Sequence, residues 1–240
     1  MIGRIIGGGR AAAALCAAAW LGAAGAPAVA GSFRVDPVNI VLPHGRASAE
    51  LRLTNVDALP VAVRVTALRW TQRGGEDVHE ATSDVIASPP IFRVEPGGTQ
   101  LVRFGLRHRV PGAAYRIHVE EIPQAVAGGT GIRVALRIDL PLYIGAERTT
   151  PAHLVWTLER GADGALLAQA RNQGGTHAQV SRVEALDAAG RSVGLSSERG
   201  AVLPGSMRSW RLGRASGNAE TIVVTTPAGA LRIPVGGTRP

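Results

Sequence analysis

The sequence contains no lysine, and its only cysteine is Cys16. All 26 basic residues are therefore arginines. Cys16 lies in a leading segment that we expect to be removed, so the remaining chain carries no thiol. A chain without thiols has neither a disulfide framework nor cysteine chemistry, and its stability has to come from apolar cores.

Aromatic residues are also scarce, at 4% of the chain, whereas the apolar share is 45%. That apolar share is too high for a disordered protein. We therefore expect cores that are filled mainly by Val, Leu, Ile and Ala. The 31 glycines and 15 prolines favour many turns, and they disfavour long helices or a coiled coil.

The first thirty residues have the pattern of a secretory signal peptide. Arg4 and Arg10 give a positive start, an apolar stretch covers 11–24, and Ala28-Val29-Ala30 fits a signal peptidase site. No later run reaches the length of about eighteen apolar residues that a spanning helix needs. We expect cleavage before Gly31, export from the cytoplasm, and no integral membrane segment in the mature chain.

The charge of the mature chain is basic but not clustered. Without residues 1–30, 24 arginines face 18 acidic residues, which leaves a net charge of +6. The arginines alternate with apolar residues and are not interleaved with aromatic ones, as on solvated strand faces. Nucleic acid is therefore not an expected partner. The more specific interpretation is that some of these arginines bind an acidic partner or the carboxylate of a partner.

Apolar and polar residues alternate along most of the chain, as in half-buried β-strands. The segments 49–53, 61–65 and 115–119 show this period of two, and turn signals such as Pro96-Gly97-Gly98 separate them. The turn signals recur about every eight to twelve residues, a spacing typical of an antiparallel sandwich. We therefore predict an all-β protein of two immunoglobulin-like β-sandwich domains.

The predicted strands of the first domain are 33–42, 47–55, 61–70, 91–94, 99–107, 114–122 and 131–145. Those of the second are 154–158, 166–172, 180–186, 207–212, 221–225 and 231–235. The predicted division of the chain is 1–30 for the signal peptide, 31–146 for the first domain and 147–240 for the second. Trp70, Trp156 and Trp210 are expected in the cores or between the domains.

The last predicted strand of the first domain is unusually long. From Ile132 to Ile144 it would span about 40 Å, whereas a common strand spans roughly 17–20 Å. Pro141 interrupts hydrogen-bond donation, and proline is tolerated mainly at edges or bulges. Part of the strand is therefore predicted to form an exposed edge that a partner covers. The alternative is that its apolar row faces the domain's own core while Arg133 and Arg137 lie in solvent.

No catalytic or metal-binding pattern is present. The six histidines show no dense ligand spacing, and no Gly-x-Ser-x-Gly sequence occurs. Glu120 and Glu121 are neighbours on a predicted strand, so they point to opposite faces and do not form an acid–base pair. We expect no catalytic residue, no metal and no cofactor.

An ordered set of motifs over the mature chain resembles the PapD-like periplasmic pilus chaperones of the chaperone–usher pathway. The motifs are Phe33-Arg34-Val35-Asp36-Pro37, Leu51-Arg52-Leu53-Thr54-Asn55, Ala87-Ser88-Pro89-Pro90, Phe92-Arg93-Val94-Glu95-Pro96-Gly97, Gln100-Leu101-Val102-Arg103 and Tyr115-Arg116-Ile117-His118-Val119-Glu120-Glu121-Ile122-Pro123. The second domain matches more weakly, at Leu154-Val155-Trp156 and Val202-Leu203-Pro204-Gly205. Tyr-Arg before Glu-Ile-Pro is more similar to the archaic, spore-coat-type branch.

The resemblance implies two immunoglobulin-like domains in a boomerang and a mechanism called donor-strand complementation. A pilin-like subunit lacks one strand of its own sandwich, and the long strand of the chaperone fills the resulting groove. Carried over onto this chain, the donor row is Ile132, Val134, Leu136 and Ile138. The resemblance also implies a periplasmic location and an outer-membrane usher to which the subunit is delivered.

The sequence departs from the family where the C-terminal carboxylate of the subunit is bound. Members of the family hold it with an arginine on the first strand and a lysine on the last, and these positions correspond here to Asn39 and Pro141. Neither side chain is a cation, although Asn39 retains a neutral hydrogen-bond donor.

Arg116 is the candidate that replaces this anchor, because a guanidinium fork suits a carboxylate. Arg103 and Arg137 are weaker candidates. The alternative for Arg116 is a structural ion pair with Glu120 or Glu121, or a solvated position.

Two other functions remain possible from the sequence. The first is a secreted immunoglobulin-like adhesin or structural surface subunit, which would polymerise or bind a surface and have no transient client. The second is a secreted enzyme with a β-sandwich fold, although the sequence contains no catalytic motif that would support it.

Overall fold

A computed structural model describes residues 33–123, 135–145, 150–214 and 217–234 of the chain. These residues form 19 β-strands, and none of them lies in a helix. The strands build two β-sandwiches, each with its own apolar core, so the predicted fold class is confirmed. The predicted signal peptide lies outside the described residues.

Ten strands form the N-terminal sandwich: β1 Phe33–Asp36, β2 Ile40–Leu42, β3 Ser48–Asn55, β4 Val61–Arg73, β5 Glu76–Ala81, β6 Val85–Ser88, β7 Ile91–Val94, β8 Thr99–Leu106, β9 Ala114–Glu121 and β10 Arg137–Ile144. One sheet has the order β1-β3-β8-β6. The other has the order β2-β10-β9-β4-β5, and β7 pairs with β4. The two sheets face each other across the first core.

The first predicted strand, 33–42, is divided in the structure. β1 pairs antiparallel with β3, whereas β2 pairs parallel with β10 in the opposite sheet. The chain changes sheet at the cis bond between Asp36 and Pro37. β5 and β6 are strands that the alternation pattern missed, because β5 is polar on both faces and β6 is only four residues long.

The core of the N-terminal sandwich is mainly aliphatic, as the composition predicted, and it also contains Phe33, Phe104 and Tyr115. On β3, Leu51 and Leu53 are fully buried. Glu50, which precedes them, and Arg52, which lies between them, are exposed. Full burial of one such side chain stabilises the fold by roughly 1.5–3 kcal/mol. Repetition of this alternation on β4, β8 and β9 produces one continuous core.

Nine strands form the C-terminal sandwich: β11 Leu154–Arg160, β12 Ala165–Asn172, β13 Ala178–Val180, β14 Arg182–Leu186, β15 Ser192–Ser196, β16 Gly200–Val202, β17 Met207–Arg214, β18 Thr221–Thr226 and β19 Gly229–Pro234. They form sheets in the orders β11-β12-β17, β13-β16 and β15-β14-β18-β19. The predicted strand 180–186 is divided at Ser181, and β15 and β16 were missed. Trp156 and Trp210 pack in this core with ring centroids 5.3 Å apart.

The same buried asparagine contact closes both sandwiches. In the first, the Asn55 side chain donates to Leu59 O at 2.8 Å and Val94 O at 3.0 Å and accepts from Asp57 N at 2.9 Å. Its main chain bonds Gly97 N and Gly98 O in the turn that follows Val94. One side chain thus joins the end of β3 to the turn between β7 and β8.

Asn172 makes the corresponding contacts in the second sandwich. It donates to Thr176 O at 2.7 Å and Val202 O at 3.0 Å and accepts from Gly174 N at 2.9 Å. The partner turns have related sequences, Val94-Glu95-Pro96-Gly97 and Val202-Leu203-Pro204-Gly205. The two domains therefore share a structural element that the weak second-domain motif only indicated.

We expect Asn55→Ala to lower the free energy of unfolding by about 2–4 kcal/mol, because two buried carbonyls and one amide lose their partners. Urea unfolding of the two proteins measures the difference. Asn218→Ala is the matched control, since Asn218 is exposed, and its effect should stay within about 0.5 kcal/mol. Equal midpoints for the two variants would show that the Asn55 contacts do not stabilise the sandwich.

Candidate functional site

β10 contains the described part of the long strand predicted over 131–145. It pairs with β9 from Arg137 to Tyr143, whereas β2 pairs with it only from Leu142 to Ile144. Within the described residues, the segment 137–141 therefore has a strand partner on one side only. The open segment ends at Pro141, in agreement with the prediction that this proline marks a sheet edge.

The apolar row of β10 continues the core face of the N-terminal sandwich. Leu140 and Leu142 are buried, and Leu136 and Ile138 are partly buried against the same core. For this part of the row, the predicted alternative of packing on the domain's own core is therefore correct. Leu136 and Ile138 also keep part of their surface exposed, and they lie where β10 has no second neighbour.

The rest of the predicted donor row, Ile132 and Val134, lies outside the described residues. Arg137 and Asp139 occupy the opposite, exposed face of β10 and form an ion pair at 3.2 Å. The main chain at Leu136 is still held to β9, since Glu121 N donates to Leu136 O at 2.8 Å.

Arg116 lies on β9 directly opposite Pro141. Its guanidinium stacks over the Trp70 indole, with Cζ 4.0 Å from the ring centroid. It forms no ion pair with Glu120 or Glu121, so this alternative prediction is wrong, and no carboxylate elsewhere in the described ranges pairs with it. The stacking fixes the cation while leaving its hydrogen-bond donors available, and such contacts contribute about 0.5–2 kcal/mol.

The orientation of Trp70 is set by Asp77. The indole Nε1 donates to Asp77 Oδ1 at 2.9 Å, and Gln72 Nε2 donates to the same oxygen at 2.8 Å. The other oxygen, Oδ2, forms an ion pair with the Arg208 guanidinium of the C-terminal sandwich. Trp70, the support of Arg116, is therefore tied through one carboxylate to the second domain.

The same carboxylate is held in its charged form. Burial by itself would raise the pKa of Asp77, but hydrogen bonds from Gln72, Arg208 and Trp70, together with the Arg208 charge, outweigh it. The net effect lowers the pKa of Asp77 below its ordinary value of 3.8. Arg208 is nearly buried, with 8% of its side chain exposed, and it also pairs with Glu198 at 2.7 Å.

Further contacts connect the two sandwiches next to this ion pair. Gln72 donates to Ala201 O at 2.7 Å and accepts from Leu203 N at 3.0 Å, and Ser209 N donates to Gly75 O at 2.9 Å. A small apolar cluster made of Trp70, Ala114, Tyr143, Ala201 and Leu203 fills the space beside them. The interface therefore combines an apolar centre with hydrogen-bonded polar groups, although the Nε atom of Arg208 is buried without a partner.

Tyr143 of β10 forms the other side of this interface. Its ring stacks on His177 of the second domain, with centroids 3.5 Å apart and an interplanar angle of 5°. Burial raises the pKa of Tyr143 to about 12 and lowers the pKa of His177. The phenol therefore stays protonated and is available as a hydrogen-bond donor.

A cavity of about 390 Å³ opens between the two domains at this point. Arg116, Trp70, Pro141 and Tyr143 line it from the N-terminal sandwich, and the segments 179–181 and 199–201 line it from the other. Its volume is within the range of small-ligand sites. The open segment of β10 thus ends at the cavity, because Pro141 belongs to both.

The other predicted anchor residues lie elsewhere. Asn39 is exposed in the bend before β2 and is not part of the cavity wall. Arg103 pairs with Glu50 at 3.2 Å, and Arg137 is occupied by Asp139. Arg116 is therefore the only one of the four candidates that the structure brings to the cavity.

The sequence analysis did not identify three residues of the interface, namely Asp77, Gln72 and Arg208. Asp77 lies on a strand without alternation, and Arg208 is 131 residues further along the chain. Hydrophobic periodicity carries no signal for such a contact between domains. The parallel bridge between Gly75 and Arg208 places the two segments side by side.

The described residues hold no group of three or more His, Cys, Asp or Glu side chains that is arranged to bind a metal ion. Nor does any helix among them have the length and apolar character needed to cross a membrane.

Residues 32–146 match the family model of the pili and flagellar-assembly chaperones, PapD N-terminal domain. No curated protein matches the chain by sequence. A chain in the CsuC–CsuE chaperone–tip adhesion subunit complex of archaic Csu pili from Acinetobacter baumannii is 19% identical. The alignment covers 86% of this chain and 99% of that one, with a TM-score of 0.69.

Two further solved structures share the fold. A chain in the Salmonella enterica complex of SafA pilin with the SafB chaperone is 14% identical, with a TM-score of 0.64 and coverage of 86% and 98% of the two chains. The E. coli chaperone DraB is 17% identical, with a TM-score of 0.62 and the same coverage.

The two sandwiches and the cavity between them define a two-domain chaperone fold of the PapD type. Residues 32–146 form an N-terminal domain of the PapD pilus-chaperone family. The predicted resemblance is therefore confirmed.

We expect Asp77→Asn to destabilise the protein by about 2–3 kcal/mol at neutral pH, because charge-assisted bonds from Arg208 are lost. The pKa of Asp77 is lowered in the folded state, so this stabilisation is complete above the unfolded value of 3.8. It disappears as the pH falls through the lower, folded pKa. Urea unfolding of both proteins between pH 7 and pH 3 measures the difference, which should shrink below about pH 4.

Asp36→Asn is the matched control for this series, because Asp36 is exposed and pairs with no cation within the described ranges. Its effect should stay within about 0.5 kcal/mol. A difference between wild type and Asp77→Asn that is the same at pH 7 and pH 3 would contradict the assigned role of the charge.

Gly75 tests the domain contact without a charge. Gly74 and Gly75 both have positive φ, at 61° and 88°, so alanine strains either position. At Gly74 the new methyl group meets open space, whereas at Gly75 it overlaps the Ser209 hydroxyl. We expect Gly75→Ala to lower the free energy of unfolding, measured in urea, by about 1–3 kcal/mol more than Gly74→Ala does. Equal decreases for the two variants would show that Gly75 and Ser209 are not closely packed.

Proposed function

We propose that this chain is a periplasmic chaperone that captures pilin-like subunits by donor-strand complementation and delivers them to an outer-membrane usher. The family of its N-terminal domain supports the chaperone role, and pilus chaperones are not enzymes. Proteins of the same fold occur in complexes with a pilin and with a tip adhesion subunit. Within this proposal, residues 1–30 direct export and the two domains span 31–146 and 147–240.

The observation that carries the proposal is the open segment of β10 with its apolar row. A sheet edge with exposed apolar side chains is an aggregation hazard unless another chain covers it. Strand addition supplies main-chain hydrogen bonds for affinity, and pockets for alternate side chains supply specificity. Leu136 and Ile138 are placed for this, since they are partly exposed at the unpaired edge.

The donated row would comprise Ile132, Val134, Leu136 and Ile138. Complete burial of one exposed side chain of this kind contributes roughly 1.5–3 kcal/mol, so four of them give at most about 6–12 kcal/mol before the entropy of association is subtracted. Leu136 and Ile138 contribute less than this, because they are already partly buried on their own core. This contribution requires no nucleotide or other cofactor. Buried apolar area and main-chain hydrogen bonds together drive the proposed capture.

The proposed anchor for the subunit's C-terminal carboxylate is Arg116. Its guanidinium is held on Trp70, lines the cavity, and has no carboxylate partner among the described residues. A carboxylate that enters the cavity would accept charge-assisted hydrogen bonds from it. Asn39 would add at most a neutral donor, because it lies in the exposed bend before β2.

The direct test is purification of a C-terminally tagged copy from the periplasm of its own host, followed by mass spectrometry of co-purifying proteins. A small secreted subunit with an immunoglobulin-like pattern, recovered at 1:1, would support the chaperone. A protein that purifies alone under fibre-expressing conditions would contradict it. Self-polymerisation or release from the cell would instead favour an adhesin or structural surface subunit.

We expect Val134→Asp combined with Leu136→Asp to weaken subunit capture by at least about 100-fold, because two buried apolar contacts are replaced by charges. Co-purification and competition binding with the recovered subunit measure the effect. Thermal unfolding verifies that the variant is folded, since Leu136 also touches its own core.

Ala135→Asp is the matched control, because Ala135 is exposed and lies between the two substituted positions, with its side chain toward the opposite face. It places one charge on the same strand and should leave capture within about threefold. Unchanged capture by the folded double variant would exclude the donor-strand mechanism.

A further inference from the structure

We infer that the C-terminal domain supplies half of the carboxylate anchor, through Arg199, so that the client's C-terminus is held between the two domains. The inference rests on the proposed function and assigns a role to a residue outside the donor-strand domain. It makes the interdomain cavity a two-sided site in which Arg116 and Arg199 bind one anion.

The composition of the cavity wall favours an anion. Arg116 lines the cavity from the first domain and Arg199 from the second, and none of the described residues that line it is acidic. Neither arginine forms an ion pair with any of the described residues. Two like charges that face one cleft with low-dielectric walls repel each other, and a bound anion relieves that repulsion.

Arg199 occupies a segment whose position is fixed. It lies between β15 and β16, directly after Glu198, whose side chain pairs with Arg208 at 2.7 Å. Glu198 O also accepts from Trp210 Nε1 at 3.1 Å. On the other side, the backbone of Gly200 is packed so closely on Arg208 that a methyl group would overlap the guanidinium. The loop is thus held on both sides of Arg199, which is exposed and lines the cavity.

The neutral groups of the cavity suit the end of a peptide chain. Gln179 and Ser181 line it from the second domain and can bond the last peptide group of a client. Tyr143 lines the same cavity beside Arg116, and its hydroxyl is hydrogen-bonded to Gln179. A carboxylate accepts up to about four hydrogen bonds, so the guanidinium groups of Arg116 and Arg199 can both donate to it at the same time.

The test compares Arg199→Gln with Arg171→Gln, a matched control on the exposed face of β12 in the same domain. The ligand is the subunit recovered with the wild-type protein, together with a short synthetic peptide of its C-terminal sequence as free acid and as amide. We expect Arg199→Gln to weaken binding of subunit and free acid by about tenfold. Binding of the amide should not change.

Arg199→Lys keeps the charge but loses the fork, and it should recover only part of the lost affinity. Arg116→Gln should lower affinity by a similar factor, and the double variant should bind no better than either single variant. Because Arg199 is exposed, thermal unfolding of these variants should match that of the Arg171→Gln control.

Three results would overturn the inference. The first is equal binding of the free acid by Arg199→Gln and Arg171→Gln. The second is an equal loss for acid and amide. The third is displacement of the subunit by inorganic phosphate with no preference for the acid, which would indicate a general anion site. In each case capture of the subunit by the wild type would leave the chaperone proposal intact, whereas failure of wild-type capture would contradict that proposal itself.

Discussion

The arrangement of the two sandwiches depends on one carboxylate, that of Asp77. A buried ion pair is expensive to desolvate, and it becomes favourable only when the remaining hydrogen-bond sites of both ions are used. Asp77 meets this condition, because Trp70, Gln72 and Arg208 all donate to it. Arg208 meets it in part, because its two terminal nitrogens bond Asp77 and Glu198 while its Nε has no partner. Since Trp70 carries the Arg116 guanidinium, the contact that joins the domains also orients the proposed anchor.

The second domain is more than a support, because the loop that closes its own core also forms the interface. Asn172 holds the turn at Val202 by a buried hydrogen bond. The next residue, Leu203, packs against Trp70 and donates its amide to Gln72. One turn of the second sandwich therefore contacts both its own core and the interface, whereas the backbone hydrogen bonds of Gly97 and Gly98 in the equivalent turn of the first sandwich stay within that domain.

The sequence predicted the parts of this structure that depend on alternation. Leu51 and Leu53 have a period of two and are buried as expected. The division of the first strand was also encoded, because buried positions change from Phe33 and Val35 to Ile40 and Leu42, an odd step that a single strand does not make. Contacts such as that of Asp77 with Arg208 have no local period, so only the folded chain brings them together.

One strand connects the two proposed binding elements, and this has a consequence for register. Leu136 lies at the open end of β10 and Pro141 at the cavity, about 16 Å apart along an extended strand. A slip of one residue in strand pairing exchanges the two faces, so an added strand requires a fixed end point. In the proposed complex, a carboxylate held at the cavity provides that point. The distance from the anchor then determines which client pocket receives each apolar side chain, so that the arginines contribute alignment in addition to their share of the affinity.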